Sequence, residues 1–262
     1  MKLPIYQADA FADSLFGGNP AAVVPLAAWL PDEKLQTIAA ENNLSETAFF
    51  VASDGAYEIR WFTPASEVEL CGHATLASAS VLFNQLNIAG NEIVFRSKSG
   101  ILKVKSHVDG LTLDFPAYEL AAAEATHNVT EAIGKMPVES FTYRNDLLLV
   151  YHDATTIEML RPDFKKLSSC PERAFLVTAP GDKSDYVYRF FAPSVGINED
   201  PATGSAQCAL MPYWTKRLSK STLHSVQVSK RKGYFNCTMK GERVEISGKV
   251  FLYLEGTVTI NE

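Results

Sequence analysis

Two stretches of the chain are small or apolar on nearly every side when wound as helices. Residues 74–86 carry Leu76, Ala77, Ala79, Val81, Leu82 and Phe83. Residues 206–218 carry Cys208, Ala209, Leu210, Met211, Tyr213 and Trp214. A helix without a polar face belongs inside a domain. Pro212 lacks a backbone donor, so the second helix is expected to kink or break there. Around both helices the pattern becomes strand-like. Ala48-Phe49-Phe50-Val51, Ile93-Val94-Phe95, Leu111-Thr112-Leu113-Asp114-Phe115 and Val244-Glu245-Ile246 alternate or run apolar over strand lengths. Gly100, Gly110, Gly233, Gly241 and Gly248 punctuate them as turns. Met1-Lys2-Leu3-Pro4 reads as the start of a first strand.

The pattern repeats. Ile59-Arg60-Trp61-Phe62-Thr63-Pro64 returns as Tyr188-Arg189-Phe190-Phe191-Ala192-Pro193. Ala48-Phe49-Phe50-Val51 returns as Ala174-Phe175-Leu176-Val177, Pro31-Asp32 as Pro162-Asp163, and Gly72 as Gly204. An ordered set of matches about 130 residues apart predicts two copies of one fold, not a solenoid. The expected fold class is α+β, with two pseudo-symmetric domains, each a strand layer around a central helix. The boundaries fall at 1–118 and 128–262. Residues 119–127, with Ala121-Ala122-Ala123, serve as linker. The pattern leaves open whether the last strand returns to the first domain.

Composition narrows the function. The net charge of −6 argues against a nucleic-acid surface. The basic run Lys230-Arg231-Lys232 is short and ends at Gly233, so it reads as a solvated hairpin. No apolar run approaches the roughly 18 residues of a membrane span. The N-terminus lacks the apolar core of a signal peptide, which points to a cytoplasmic protein. Cys71, Cys170, Cys208 and Cys237 form no CxxC pair, so free thiols are expected and a zinc site is not. There is no GxGxxG, P-loop, HExxH or GxSxG motif.

A helix start after a Gly-containing turn presents free N–H groups and partial positive charge, suited to a carboxylate or a developing oxyanion. Two such starts, at Gly72 and Gly204, suggest one site between two domains. His73 suits proton transfer there, and equally a capping or core histidine. On their own, Asp200 reads as an Asp-Pro turn residue, Ser205 as an N-terminal helix residue and Glu46 as a strand-edge glutamate. Cys71 at a helix start could be a base. The position 132 residues on is Thr203, however, which argues against a two-thiol mechanism and for a buried, inert Cys71.

Six ordered blocks carry a wider likeness: Ala8-Asp9-Ala10-Phe11, Phe16-Gly17-Gly18-Asn19-Pro20-Ala21-Ala22-Val23, Asn43-Leu44-Ser45-Glu46-Thr47-Ala48-Phe49, Arg60-Trp61-Phe62-Thr63-Pro64, Glu67-Val68-Glu69-Leu70-Cys71-Gly72-His73-Ala74-Thr75 and Glu199-Asp200-Pro201-Ala202-Thr203-Gly204-Ser205-Ala206. With them the chain resembles the PhzF-like isomerase family, named for phenazine biosynthesis, in the branch that includes the MAWD-binding protein. The resemblance implies the diaminopimelate-epimerase fold with its active site between two domains. It implies that Glu46 moves a proton between substrate carbons. His73, Asp200 and Ser205 would line the site, with Asn19 facing it. N–H groups near Gly72 and Gly204 would hold the substrate's acidic group. No metal and no organic cofactor would be needed. The expected partner is a small carboxylate substrate. The family is compatible with a homodimer, and the branch name with a protein partner. Two other readings share these residues: epimerisation or racemisation of an amino-acid-like compound, and a protein-interaction role with little catalysis.

Overall fold

The computed structural model of the chain describes residues 1–260. It divides into two compact units, Met1–Asp114 together with the chain from Ser247, and Phe115–Ile246. The first boundary thus lies at 114/115, and residues 119–127 fall inside the second unit. The chain from Ser247 onward belongs with the first unit, an option that the sequence pattern had left open.

The first unit begins with β1 (Lys2–Ala12), β2 (Asn19–Leu26), α1 (Asp32–Asn42), β3 (Glu46–Ser53), β4 (Ala56–Phe62) and the short β5 (Glu67–Val68). Then come α2 (Gly72–Asn84), β6 (Glu92–Ser97), β7 (Gly100–His107) and β8 (Gly110–Pro116). The last strand, β17 (Arg243–Thr259), enters this unit at Ser247. Strand pairing runs β1–β2–β3–β4–β6–β7–β8–β17 and returns to β1, which closes the sheet. The β8–β17 seam is tight. Thr112 and Ser247 hydroxyls meet at 2.7 Å, and a Cβ on Gly110 would stand 2.6 Å from the Gly248 carbonyl oxygen.

Inside the ring lies α2, buried from His73 to Leu82 and packed on β1, β2, β3 and β7. On the outer face α1 packs Leu35, Ile38 and Ala39 against Val24, Leu26, Phe49 and Phe62. Strands covered on both faces cannot alternate, which is why Thr47 to Phe50 are buried in succession.

The second unit holds β9 (Ala121–Ala122), α3 (His127–Ile133), β10 (Glu139–Tyr143), β11 (Asp146–Val150), α4 (Ala154–Met159) and α5 (Phe164–Leu167). After these come β12 (Ala174–Pro180), β13 (Tyr186–Ala192), β14 (Ile197–Asp200), α6 (Gln207–Leu218), β15 (Thr222–Gln227) and β16 (Gly233–Lys240). Residues 119–127 do more than connect. Ala121 and Ala122 pair with β10, and the Ala117 N–H just before them donates to Glu242 O. The basic run Lys230-Arg231-Lys232 sits in the β15–β16 turn. Pro212 does not break α6. The carbonyl its missing N–H would have engaged, Cys208 O, accepts instead from Tyr118 N–H at 2.7 Å.

Pairing directions recur between the units. β2–β3 and β11–β12 are parallel, β3–β4 and β12–β13 antiparallel, β4–β6 and β13–β15 parallel. So does one ion pair. Arg60 donates from Nε and Nη2 to Glu67 at 2.8 and 2.9 Å, and Arg189 donates in the same way to Glu199 at 2.8 and 2.8 Å. Each guanidinium also lies over the phenylalanine two residues along, Phe62 at 5.1 Å and Phe191 at 4.9 Å.

The Arg60 guanidinium, aided by Lys98 and opposed by burial, lowers the Glu67 carboxyl from its ordinary 4.5 to about 2. A folded-state pKa below the unfolded one adds stability that is complete above the unfolded value and is lost as pH falls through the folded value. The stability advantage of the wild type over Glu67→Gln should therefore shrink as pH falls from 4.5 towards about 2, read by chemical denaturation at each pH. An advantage constant across that window would contradict the pairing.

Candidate functional site

Glu46 opens β3, and neighbouring residues hold that start in place. The chain leaves α1 through Asn43 in the left-handed region, at φ 49° and ψ 37°. Asn42 Nδ2 donates to Thr47 Oγ1 at 3.1 Å, and the parallel register sets Glu46 beside Ala21. Asn19, fully buried, opens the neighbouring β2. The loop before it is fastened by the Phe16 N–H, which donates to buried Asp9 Oδ2 at 2.8 Å. Gly18 lies at φ +60°, where a Cβ would stand 2.2 Å from Ala10 O, so only glycine fits.

Cys71 is extended at the head of α2, and its carbonyl accepts from Thr75 N–H at 3.1 Å and Thr75 Oγ1 at 2.6 Å. This start brings three chemically active groups together. Glu46 Oε2 lies 3.1 Å from His73 Nε2. Cys71 Sγ lies 3.5 Å from His73 Nδ1 and 3.9 Å from Nε2. Burial opposes charge on His73, but Cys71 and Glu46 outweigh it and raise its pKa well above the usual value. Burial, with the Glu46 charge adding to it, pushes the Cys71 thiol up to about 11, so the thiol keeps its proton at neutral pH.

In the second unit Asp200 ends β14, and a short loop carries Thr203, Gly204 and Ser205 into α6. Thr203 Oγ1 donates to Asp200 Oδ2. The fully buried Gln227 ties the loop down. Its Oε1 accepts from Thr203 N–H at 2.6 Å, and its Nε2 donates to Asp200 O. Tyr188 OH adds a hydrogen bond to Thr203 O at 3.1 Å.

The structure therefore joins Glu46 to His73, and Asp200 to the Gly204–Ser205 loop. Sequence reasoning gave Cys71 no part in the first group, although its place two residues before His73 was a signal. It missed Gln227 altogether, since a lone glutamine in a strand matches no motif. Among the described residues no helix is long and apolar enough to cross a membrane, and the four cysteines are free thiols.

A sheet-enclosed helix, in a chain whose pairing pattern occurs twice, is the diaminopimelate-epimerase-like fold. More particularly, the chain belongs to the PhzC-PhzF family of phenazine biosynthesis-like proteins, which matches residues 8–256. It is 51% identical over 258 residues to an uncharacterized isomerase of Pseudomonas aeruginosa, covering 98% of this chain and 99% of that protein. It is 39% identical over 287 residues to a phenazine biosynthesis-like domain-containing protein of Mus musculus, covering 99% and 100%. The crystal structure of a PhzF-family protein from Enterococcus faecalis superposes with a TM-score of 0.97 at 44% identity, covering 99% and 100%. The chain is accordingly an enzyme of the isomerase class.

Gln227→Leu would leave the buried Thr203 N–H without this partner, while the part-buried Asp200 O keeps the Ser229 hydroxyl at 3.3 Å. At roughly 1–3 kcal/mol for a buried group left unsatisfied, the variant should lose about 1–3 kcal/mol in denaturant unfolding. A loss below about 0.5 kcal/mol would show that the loop is held by other contacts.

Proposed function

We propose that the chain moves a proton between two carbons of a small carboxylic acid carrying an unsaturated or otherwise acidified C–H, with Glu46 as general acid/base. The observation that carries this reading is the Glu46–His73 contact of 3.1 Å at the head of buried α2. Glu46 takes the proton from one carbon, leaving its electron pair delocalised toward the substrate's acidic group. It then returns the proton to the second carbon. His73 steadies the charge that develops.

Free N–H groups at the start of α2, beginning with Gly72, suit an anionic substrate group, and Asn19 supplies an amide. In the second unit Asp200, Ser205 and the Gly204 N–H offer polar groups suited to an acidic ligand, with Asp200 also available for proton transfer. The reaction asks for no metal and no organic cofactor.

A shift also accounts for Glu46, His73 and Cys71 standing in one group. A single base can remove and return a proton on one face, whereas inversion at one carbon needs an acid and a base on opposite faces.

The test is incubation in D2O with a panel of small unsaturated carboxylic acids, followed by NMR of the products. The wild type should place deuterium at the second carbon of its substrate. Glu46→Gln should fold and lose this labelling by roughly 10²–10⁴-fold. Wild-type labelling in Glu46→Gln would overturn the assignment, and deuterium only at a single inverted carbon would mean epimerisation.

A further inference from the structure

We infer that Thr203 is a positioning residue, whose hydroxyl holds the Asp200 carboxylate in the orientation it uses on the substrate. This rests on the proposed role of Asp200 and adds a residue to it. Thr203 Oγ1 donates to Asp200 Oδ2, and Thr203 is buried, at 8% exposure.

A hydrogen bond that Thr203 does not make points to this role. Thr203 is the N-cap of the short turn that leads into α6, extended at φ −105° and ψ 94°. Threonine is favoured at such a position because its oxygen accepts from a free N–H of the first turn. Thr203 makes no side-chain cap bond. Its hydroxyl proton goes to Asp200 instead. A side chain that forgoes its local preference does so for a contact elsewhere. Cys71, at the equivalent head of α2, also caps nothing with its side chain, and its Sγ lies 3.5 Å from His73 Nδ1. In both units the side chain at the helix head is turned on a titratable neighbour.

The backbone around the contact is held by other groups. Thr203 N–H donates to Gln227 Oε1 at 2.6 Å, and Thr203 O accepts from Tyr188 OH at 3.1 Å. Asp200 O accepts from Gln227 Nε2, and from Ser229 Oγ at 3.3 Å. None of these bonds uses the Thr203 side chain. Removing its hydroxyl therefore leaves the loop in place and releases the rotation of the carboxylate. Orientation of a reacting or binding group is where small displacements cost most rate.

The experiment measures the rate of deuterium incorporation into the substrate found with the D2O panel. Asp200→Ala should lose about a hundredfold in rate. Thr203→Val keeps nearly the same shape without the donor and should lose about tenfold. Thr203→Ser keeps a hydroxyl and should stay within about threefold of the wild type. In the Asp200→Ala background, Thr203→Val should change the rate by less than about twofold, because its effect passes through that carboxylate. A wild-type rate in Thr203→Val, a loss in Thr203→Ser as large as in Thr203→Val, or an undiminished tenfold loss in the double variant would each overturn the positioning role and leave the proton-transfer reading intact. A wild-type rate in Asp200→Ala, or no labelling by the wild type with any acid of the panel, would overturn that reading of the site and this inference with it.

Discussion

The central constraint of the first unit is a helix that has no face to show to water. Residues 73–82 of α2 are buried without a break. Its hydroxyl side chains find partners one turn away along the chain. Thr75 and Ser78 hydroxyls donate one turn back to Cys71 O and Ala74 O at 2.6 and 2.7 Å, and Ser80 Oγ accepts from Asn84 at 3.1 Å. Such a helix needs a sheet without a gap, since an open edge would expose both apolar side chains and unpaired backbone groups. The chain meets that need by bringing β17 back between β8 and β1. Once enclosed, α2 can neither slide nor rotate. Its head, with Cys71 and His73, is then fixed against the first residue of β3.

The repeated Arg–Glu pair carries this rigidity to the loops that matter. Glu67 lies four residues before Cys71, so its pairing with Arg60 settles the approach to α2. Arg60 also donates to Asp32 Oδ1 at 2.9 Å, at the first residue of α1. In the second unit Glu199 immediately precedes Asp200. Arg189 joins it to the carbonyls of Ile157 and Leu160 at the end of α4, at 3.1 and 2.9 Å. Each arginine thus ties a strand, an outer helix and a loop of chemical interest together. A planar, always-charged fork with five donors can do this and a lysine cannot.

Much of this was legible before any coordinates, and the reasons differ by element. The buried helices declared themselves because composition on every face needs no register to interpret. The repeat was visible because Arg60-Trp61-Phe62 and Arg189-Phe190-Phe191 conserve the pair's chemistry, not merely its hydrophobicity. The destination of β17 was not legible, since an alternating strand looks the same whichever edge it joins. Pro212 was misleading for a related reason. Its cost depends on whether some other donor reaches Cys208 O, and Tyr118 lies about 90 residues away in sequence. Glu46, Cys71 and His73 could not be assembled from spacing alone. Their meeting depends on the β2–β3 register and on the angle at which α2 enters the sheet, and both are tertiary facts.

Comparing the two units shows how one fold can be chemically lopsided. Ser45-Glu46-Thr47-Ala48-Phe49 aligns with Pro171-Glu172-Arg173-Ala174-Phe175, so a carboxylate opens β3 in one unit and stands two residues before β12 in the other. The helix heads differ. Cys71-Gly72-His73 aligns with Thr203-Gly204-Ser205, which places hydroxyls where the first unit has a thiol and an imidazole. The glycine common to both is the residue whose N–H opens the helix start. Among the described residues, the second unit anchors its loop with a buried glutamine, and the first sets an imidazole against its glutamate. Hydroxyls and N–H groups hold an anion well but remove no proton from carbon near neutral pH, whereas a carboxylate beside an imidazole can. The divergence of the repeat thus sets a carboxylate–imidazole pair at the helix head of the first unit and hydroxyls at that of the second, with the glycine common to both.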